Sequence, residues 1–224
     1  MVRIVAGAVL AMGLTGLVAG CGAEASSEKF AAGESAMAAA VVSLDEVPAG
    51  FKLADNQRVL EGMEPVDPDC ARLFGLADVP VPRDLHGIKD APDAHAAFYR
   101  VSPVASLAEH LFRLPSGRAA RHVTEARRAV VKCPRIEVEA GEGDIRLRRE
   151  DHRRVKALRD ALAVRYINVR ERVALDVVMA AVDDDLLVVA APGSFGGPAG
   201  ARTTEQFAIK ALAKLRAVHA GKVR

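Results

Sequence analysis

Aromatic residues are scarce in this 224-residue chain, which has no Trp, two Tyr and seven Phe. Half of its residues are apolar, so the core must be built from Val, Leu and Ala rather than from rings. Charge imbalance is missing as well. The 31 Lys and Arg are nearly matched by 29 Asp and Glu, and a formal net charge of +2 argues for neither nucleic acid nor another polyanion as partner. Catalytic motifs are also lacking. The six His (His86, His95, His110, His122, His152 and His219) are scattered without the close spacing of a zinc motif and read as surface or packed residues. Ser194, in Gly193-Ser194-Phe195-Gly196-Gly197, lacks the glycine arrangement of a nucleophile elbow. Nor do these glycines have the spacing or the Lys of a Rossmann or P-loop fingerprint, and they read as a flexible turn before the last helix. No catalytic residue, metal or cofactor is expected.

Cysteine is limited to three residues, and the first of them directly follows the leader. Arg3 supplies a positive n-region, Ile4 to Gly20 carries no charge, and small residues precede Cys21, which together describe a secretory signal. The run is slightly short and glycine-rich for a membrane span of roughly 20 apolar residues, and no Lys or Arg cluster follows to stop transfer; a retained anchor is the alternative. Leu17-Val18-Ala19-Gly20-Cys21 resembles the bacterial lipobox, which implies cleavage before Cys21 and acylation of that residue. Two or three acyl chains exceed the single chain that binds a membrane only marginally. The expected location is the outer face of the plasma membrane, held by lipid. In that oxidising compartment Cys70 and Cys133 remain as one pair and are expected to form a disulfide, with two buried free thiols as the alternative.

Residues 1–20 are thus read as a lipoprotein signal peptide, 21–41 as the lipidated Cys with a spacer, and 42–221 as one domain. The stretch 36–42 fits either the last turn of the spacer or the first element of the domain. Within the domain, Asp67-Pro68 followed by Gly75 predicts a short capped helix carrying Cys70. Ala94 to Val101 and Ser106 to Leu114 predict an antiparallel pair. Ala119, Val123, Ala126 and Val130 recur at helical spacing in a helix that delivers Cys133. Ile136 and Val138, then Ile145 and Leu147, alternate with charges about a glycine turn. Ala161 to Arg170 predicts a strand, and Val173 to Val182 with Leu186 to Ala191 a hairpin about Asp183-Asp184-Asp185, whose acids read as turn chemistry rather than a cation site. A last helix is predicted from a Thr203/Gln206 capping box, the stripe Phe207, Ala211, Leu215, Val218, and a cap at Gly221. Hairpins interrupted by two helices give an α+β domain on an antiparallel sheet.

The order Leu44-Asp45-Glu46-Val47-Pro48-Ala49-Gly50-Phe51, then Pro68-Asp69-Cys70-Ala71, then Lys132-Cys133-Pro134, then a Val-rich hairpin and a final helix resembles actinobacterial envelope lipoproteins related to the extracellular sensor domain of PknH-type kinases. The resemblance covers residues 42–220. It implies one α+β domain, helices packed on an antiparallel sheet, and a cleft that takes an extracellular ligand. The kinase sensor domains carry two disulfides, whereas Cys70 and Cys133 can supply one. The leading expectation is a non-catalytic sensor-like domain binding a small molecule or a lipid-like envelope component. An interaction or scaffolding module that docks on another envelope protein is the alternative, and a hydrolase a distant third.

One charged segment stands out. Arg146, Arg148, Arg149, Arg153 and Arg154 crowd together, diluted by Glu150 and Asp151. They fit a solvated edge strand, where charge discourages sheet-to-sheet association, or a basic patch that touches anionic headgroups or wall polymers.

Overall fold

Val173–Val182 and Asp185–Ser194, two largely apolar segments, pair as a hairpin at the middle of an antiparallel sheet. The computed structural model describes residues 36–54, 59–60, 63–71, 73, 94–140, 143–150, 156–194 and 197–222. Among these, nine strands form the sheet: β1 (Lys52–Leu53), β2 (Glu64–Pro65), β3 (Ala94–Arg100), β4 (Ala105–Arg113), β5 (Arg135–Ala140), β6 (Gly143–Glu150), β7 (Leu162–Asn168), β8 (Val173–Val182) and β9 (Asp185–Ser194). Their order is β1-β3-β4-β9-β8-β7-β6-β5-β2, and all neighbours are antiparallel. The helices are α1 (residues 36–40), α2 (Pro68–Ala71), α3 (Arg118–Lys132) and α4 (Gly197–His219). This is the α+β architecture expected from the sequence.

Residues alternate between the two faces of a strand, so each face collects its own core. On one face, α2 and α3 cover Phe112, Val164, Tyr166, Leu175, Val177, Met179 and Val188. On the other, α1, the segment through Phe51, and α4 cover Phe98, Leu107, Leu111, Val178, Leu187 and Val189. β8 and β9 are covered on both faces and hence read as continuous apolar runs. β5 and β6 are covered on the α3 face alone, which explains why Ile136, Val138 and Leu147 alternate with charges.

Cys70 and Cys133 form a disulfide that joins α2 to the end of α3 on the first face. The Asp67 carboxylate accepts from the Asp69 N–H at 2.8 Å, the predicted cap of α2. Gly221 adopts φ +66°, and the Gly221 and Lys222 amides donate to Val218 and Ala217 carbonyls, closing α4 with the reciprocal bonds of a Schellman cap. The start of α4 differs from expectation. It begins at Gly197, and Thr203 lies within it, donating to the Ala199 carbonyl at 3.2 Å. Pro198 fits the first turn of a helix, where its missing N–H costs nothing, so the helix reaches six residues further back. Met37, Ala40 and Val42 are buried against α4, so residues 36–42 pack with the rest of the described domain.

Glu109 is an acid inside this second core. Its Oε2 accepts the Val42 N–H at 2.9 Å, while Oε1 has no hydrogen-bond partner among the described residues. Burial pushes its pKa up to about 7, against the opposing pull of the Val42 N–H and Lys214. Nearby Glu46 behaves oppositely: Lys214 Nζ donates to it at 2.6 Å and holds its pKa down at about 2.

Two predictions follow from these contacts. Cross-linking across a sequence separation of 63 stabilises the fold by about 4 kcal/mol in the chain-entropy model; the double variant Cys70→Ser/Cys133→Ser should lose roughly that amount in urea denaturation, and the wild type should match it in reductant. The folded state holds the Glu109 proton more tightly than the unfolded chain does. The stability from this group is therefore full below pH 4.5 and is lost as pH rises through about 7, by about 3 kcal/mol in all. Glu109→Gln should remove that decline from the stability difference measured between pH 4.5 and 8; an unchanged decline would show that Glu109 does not cause it.

Candidate ligand-binding site

Glu150, Arg165 and Asp176 stand in register across β6, β7 and β8 on the α4 face. Arg165 is only 1% exposed, and a guanidinium removed from water must be compensated. Asp176 Oδ2 lies 3.3 Å from its Nη1, and Glu150 Oε2 lies 3.4 Å from its Nε. Thr204 Oγ1, from α4, donates to the same Asp176 oxygen at 2.8 Å. A Cβ on Gly200 would come to 3.5 Å from Arg165 Nη2, so the first turns of α4 lie directly on the guanidinium.

Beside this row opens a cavity of about 270 Å³, bounded by α4, the β3–β4 turn and the adjoining ends of β8 and β9. Arg100, Ser106, Arg165, Asp176, Thr203 and Thr204 provide its polar lining, and Phe51, Val104, Leu107 and Ala191 are among its apolar walls. Arg100 is held by donation from Nε to the Pro103 carbonyl at 3.2 Å and by its stacking 4.6 Å above the Phe51 ring. A Cβ at Gly193 would sit 2.9 Å from the Val104 carbonyl oxygen, so only glycine lets β9 lie flush with the turn that forms the rim. Neither His nor Cys is among the lining residues, so no imidazole or thiol faces the hydroxyls. The arrangement can hydrogen-bond and ion-pair with a small polar or amphiphilic molecule.

The sequence-predicted residues are distributed as follows. Cys21, Arg153 and Arg154 lie outside the described residues, as do His86 and His152. Arg146 and Arg148 are exposed on the α4 face of β6, beyond the reach of α4. Arg149 points to the opposite face, where Nη1 donates to the Val130 carbonyl at 2.7 Å near the end of α3. Alternation along a strand separates it from its neighbours. Arg135 takes its place, since β5 sets Arg135 opposite Arg148 and Glu137 opposite Arg146. These residues line a shallow groove of about 910 Å³ with Val66, Asp67, Ile167, Asn168 and Val169. Arg146 pairs with Glu137 at 2.9 Å; Arg135 and Arg148 make no ion pair among the described residues.

The Asp183-Asp184-Asp185 turn disperses its three carboxylates. Asp185 is buried and accepts from Arg113 Nε at 3.0 Å and Nη2 at 3.1 Å, and lies 2.8 Å from His219 Nε2. Asp183 faces His219 Nδ1 at 3.0 Å, and Asp184 accepts the Gly117 N–H at 3.1 Å. The acids fasten β4, α3 and α4 to the hairpin. Among the described residues no group of His, Cys, Asp or Glu is placed to hold a metal ion.

Arg165, Arg100 and Arg135 escaped the sequence reading. Arg165 had one available signal, an ionisable side chain within the otherwise apolar strand Leu162–Asn168. Breaking its compensation should be costly: Asp176→Ala should destabilise the fold by about 3 kcal/mol or more, and Thr204→Val by about 1 kcal/mol, in denaturant titrations.

No family model matches the sequence, and no curated protein matches it. Among solved structures, the fold is similar to the extracellular domain of PknH from Mycobacterium tuberculosis, with a TM-score of 0.56 and 13% sequence identity over 81% of this chain and 94% of that one. The likeness is one of fold.

Proposed function

We propose that this chain is a lipid-anchored, extracytoplasmic lipoprotein whose domain is non-catalytic and sensor-like, and binds a small molecule or lipid-like envelope component in the cavity beneath α4. The observation that carries this reading is the cavity itself, where Arg165, Asp176 and Thr204 form a polar floor under apolar walls. Sites for small ligands commonly combine a mainly apolar lining with a few placed polar groups. The disulfide fits an oxidising compartment, and the fold shared with an extracellular domain supports the same location. No helix among the described residues is long and apolar enough to cross a membrane, and the anchor in this proposal is Cys21 with its acyl chains.

A second reading, docking on another envelope protein, is favoured by one feature. Leu53, Tyr99, Val101 and Val104 are exposed apolar residues along β1, the end of β3 and the turn after it. Leu53 and Tyr99 flank this edge on opposite faces of the sheet, and exposed apolar side chains along a sheet edge suit a protein contact.

Native mass spectrometry of the delipidated domain from its own host separates the two. The cavity reading expects a co-purifying molecule of constant mass, lost in Thr203→Trp, which fills the mouth while leaving the Arg165 row intact. A domain that carries no molecule, together with a thermal midpoint unmoved by host envelope extract, counts against the cavity. The mass of the N-terminal peptide tests the anchor: diacylation or triacylation at Cys21 is expected, and an unmodified Cys21 in the membrane fraction would refute it.

A further inference from the structure

We infer that the open groove across β5, β6 and β7 is a membrane-docking surface that seats anionic phospholipid headgroups of the bilayer holding the anchor, an inference that rests on lipidation at Cys21. Arg135 and Arg148 are directly opposed in register, both exposed, with no ion pair to either among the described residues. Directly opposed like charges are unfavourable in a sheet pair. A phosphate between them supplies the missing counter-charge and matches the guanidinium fork. Arg146, although paired with Glu137, flanks the same position. Val66 and Val169 are each 55% exposed and line the groove on opposite sides of the arginines. An apolar flank beside cationic groups suits the headgroup region of a bilayer, where basic side chains meet phosphates and small apolar ones dip between them.

The tether favours a membrane over a freely diffusing anion. The N-terminal segment packs on the α4 face, the face that also bears the arginines. The 15 residues from Cys21 to Ser35 precede the first described residue, a length that spans at most about 50 Å when fully extended. The anchor therefore keeps this face within reach of the bilayer surface, where anionic headgroups are concentrated.

The test uses the mature chain from residue 22 without lipid, which contains every described element, so that binding is read independently of the anchor. It is mixed with vesicles of neutral phosphatidylcholine or of phosphatidylcholine with 30% phosphatidylglycerol, a stated composition of order a third anionic lipid. Binding is expected to the anionic vesicles alone and should weaken as salt rises. Arg135→Gln/Arg148→Gln should reduce it by about fivefold per arginine, roughly 30-fold together. Arg121→Gln/Arg128→Gln removes equal charge from exposed positions on α3, on the other side of the sheet, and should leave it nearly unchanged. Thermal midpoints of both variants should match the wild type, since all four side chains are exposed. Equal losses in the two double variants would overturn the inference in favour of diffuse charge. Absence of vesicle binding would overturn it, and binding of inorganic phosphate or soluble polyphosphate without vesicles would reassign the groove to a small anion or a wall polymer. An unlipidated Cys21 in the host would remove the tether that brings the face to the membrane, a failure distinct from any vesicle result.

Discussion

A strand covered on both faces can carry charge only where a partner meets it, and β8 and β9 are covered on both faces. That constraint arranges most of the molecule. It calls for helices on each side, α3 on one and α4 on the other, and it explains why the central hairpin is nearly all Val, Leu and Ala. It also dictates what happens at Asp176, the one acid within β8. The position opposite it on β7 is an arginine, and the next position outward on β6 is a glutamate, so a negative, positive, negative row crosses three strands in register. Thr204 completes the row from above. The cavity opens beside this row, with Arg165, Asp176 and Thr204 in its lining, which ties the candidate site directly to the way the core is balanced.

The second core adds the N-terminal segment to α4. Val42 reaches Glu109 through its backbone N–H, and Glu46 meets Lys214 on α4. These two acids are in opposite electrostatic situations. Glu46 is held ionised by the Lys214 cation and by two further donors, the N–H and hydroxyl of Ser43, whereas Glu109 is deprived of water and its second oxygen has no partner among the described residues. The packing of the N-terminal segment thus combines one contact that favours charge with another that opposes it. Because α4 also bounds the cavity, the N-terminal segment and the candidate site share one structural element.

Much of this architecture was legible from residue pattern. The stripe through Phe207, Ala211 and Leu215 marked α4, the spacing of Ala119, Val123 and Ala126 marked α3, and the even pair Cys70 and Cys133 marked the disulfide. Local signals of this kind depend on a few neighbouring residues. What was hidden depended on pairing between distant segments. β1 and β2 are two residues long and exist only because β3 and β5 offer them an edge. The start of α4 was obscured because Gly197, Pro198 and Gly200 are poor helix formers locally, while contact with the sheet decides their conformation. The basic cluster was read along the chain, yet strand alternation sends Arg149 to the α3 face and brings Arg135 from another strand to its place. No one-dimensional count of arginines can make that exchange.

The contrast between Arg165 and the Arg135–Arg148 pair shows why position rather than residue type separates structure from function here. Arg165 has lost its hydration, and the protein supplies two carboxylates in return; its substitution is felt first as lost stability. Arg135 and Arg148 keep their hydration at the surface, where two unit charges about 4 Å apart in bulk water repel by only about 1 kcal/mol. The fold can therefore tolerate the opposed pair without any partner, and stability neither requires nor rewards it. A feature that the fold merely tolerates is one whose purpose must be sought in what binds it. The same logic runs the other way for the Asp183–Asp185 turn, where Asp183 and Asp185 share His219 of α4, Asp185 also meets Arg113 of β4, Asp184 accepts the Gly117 N–H, and little is left for a ligand.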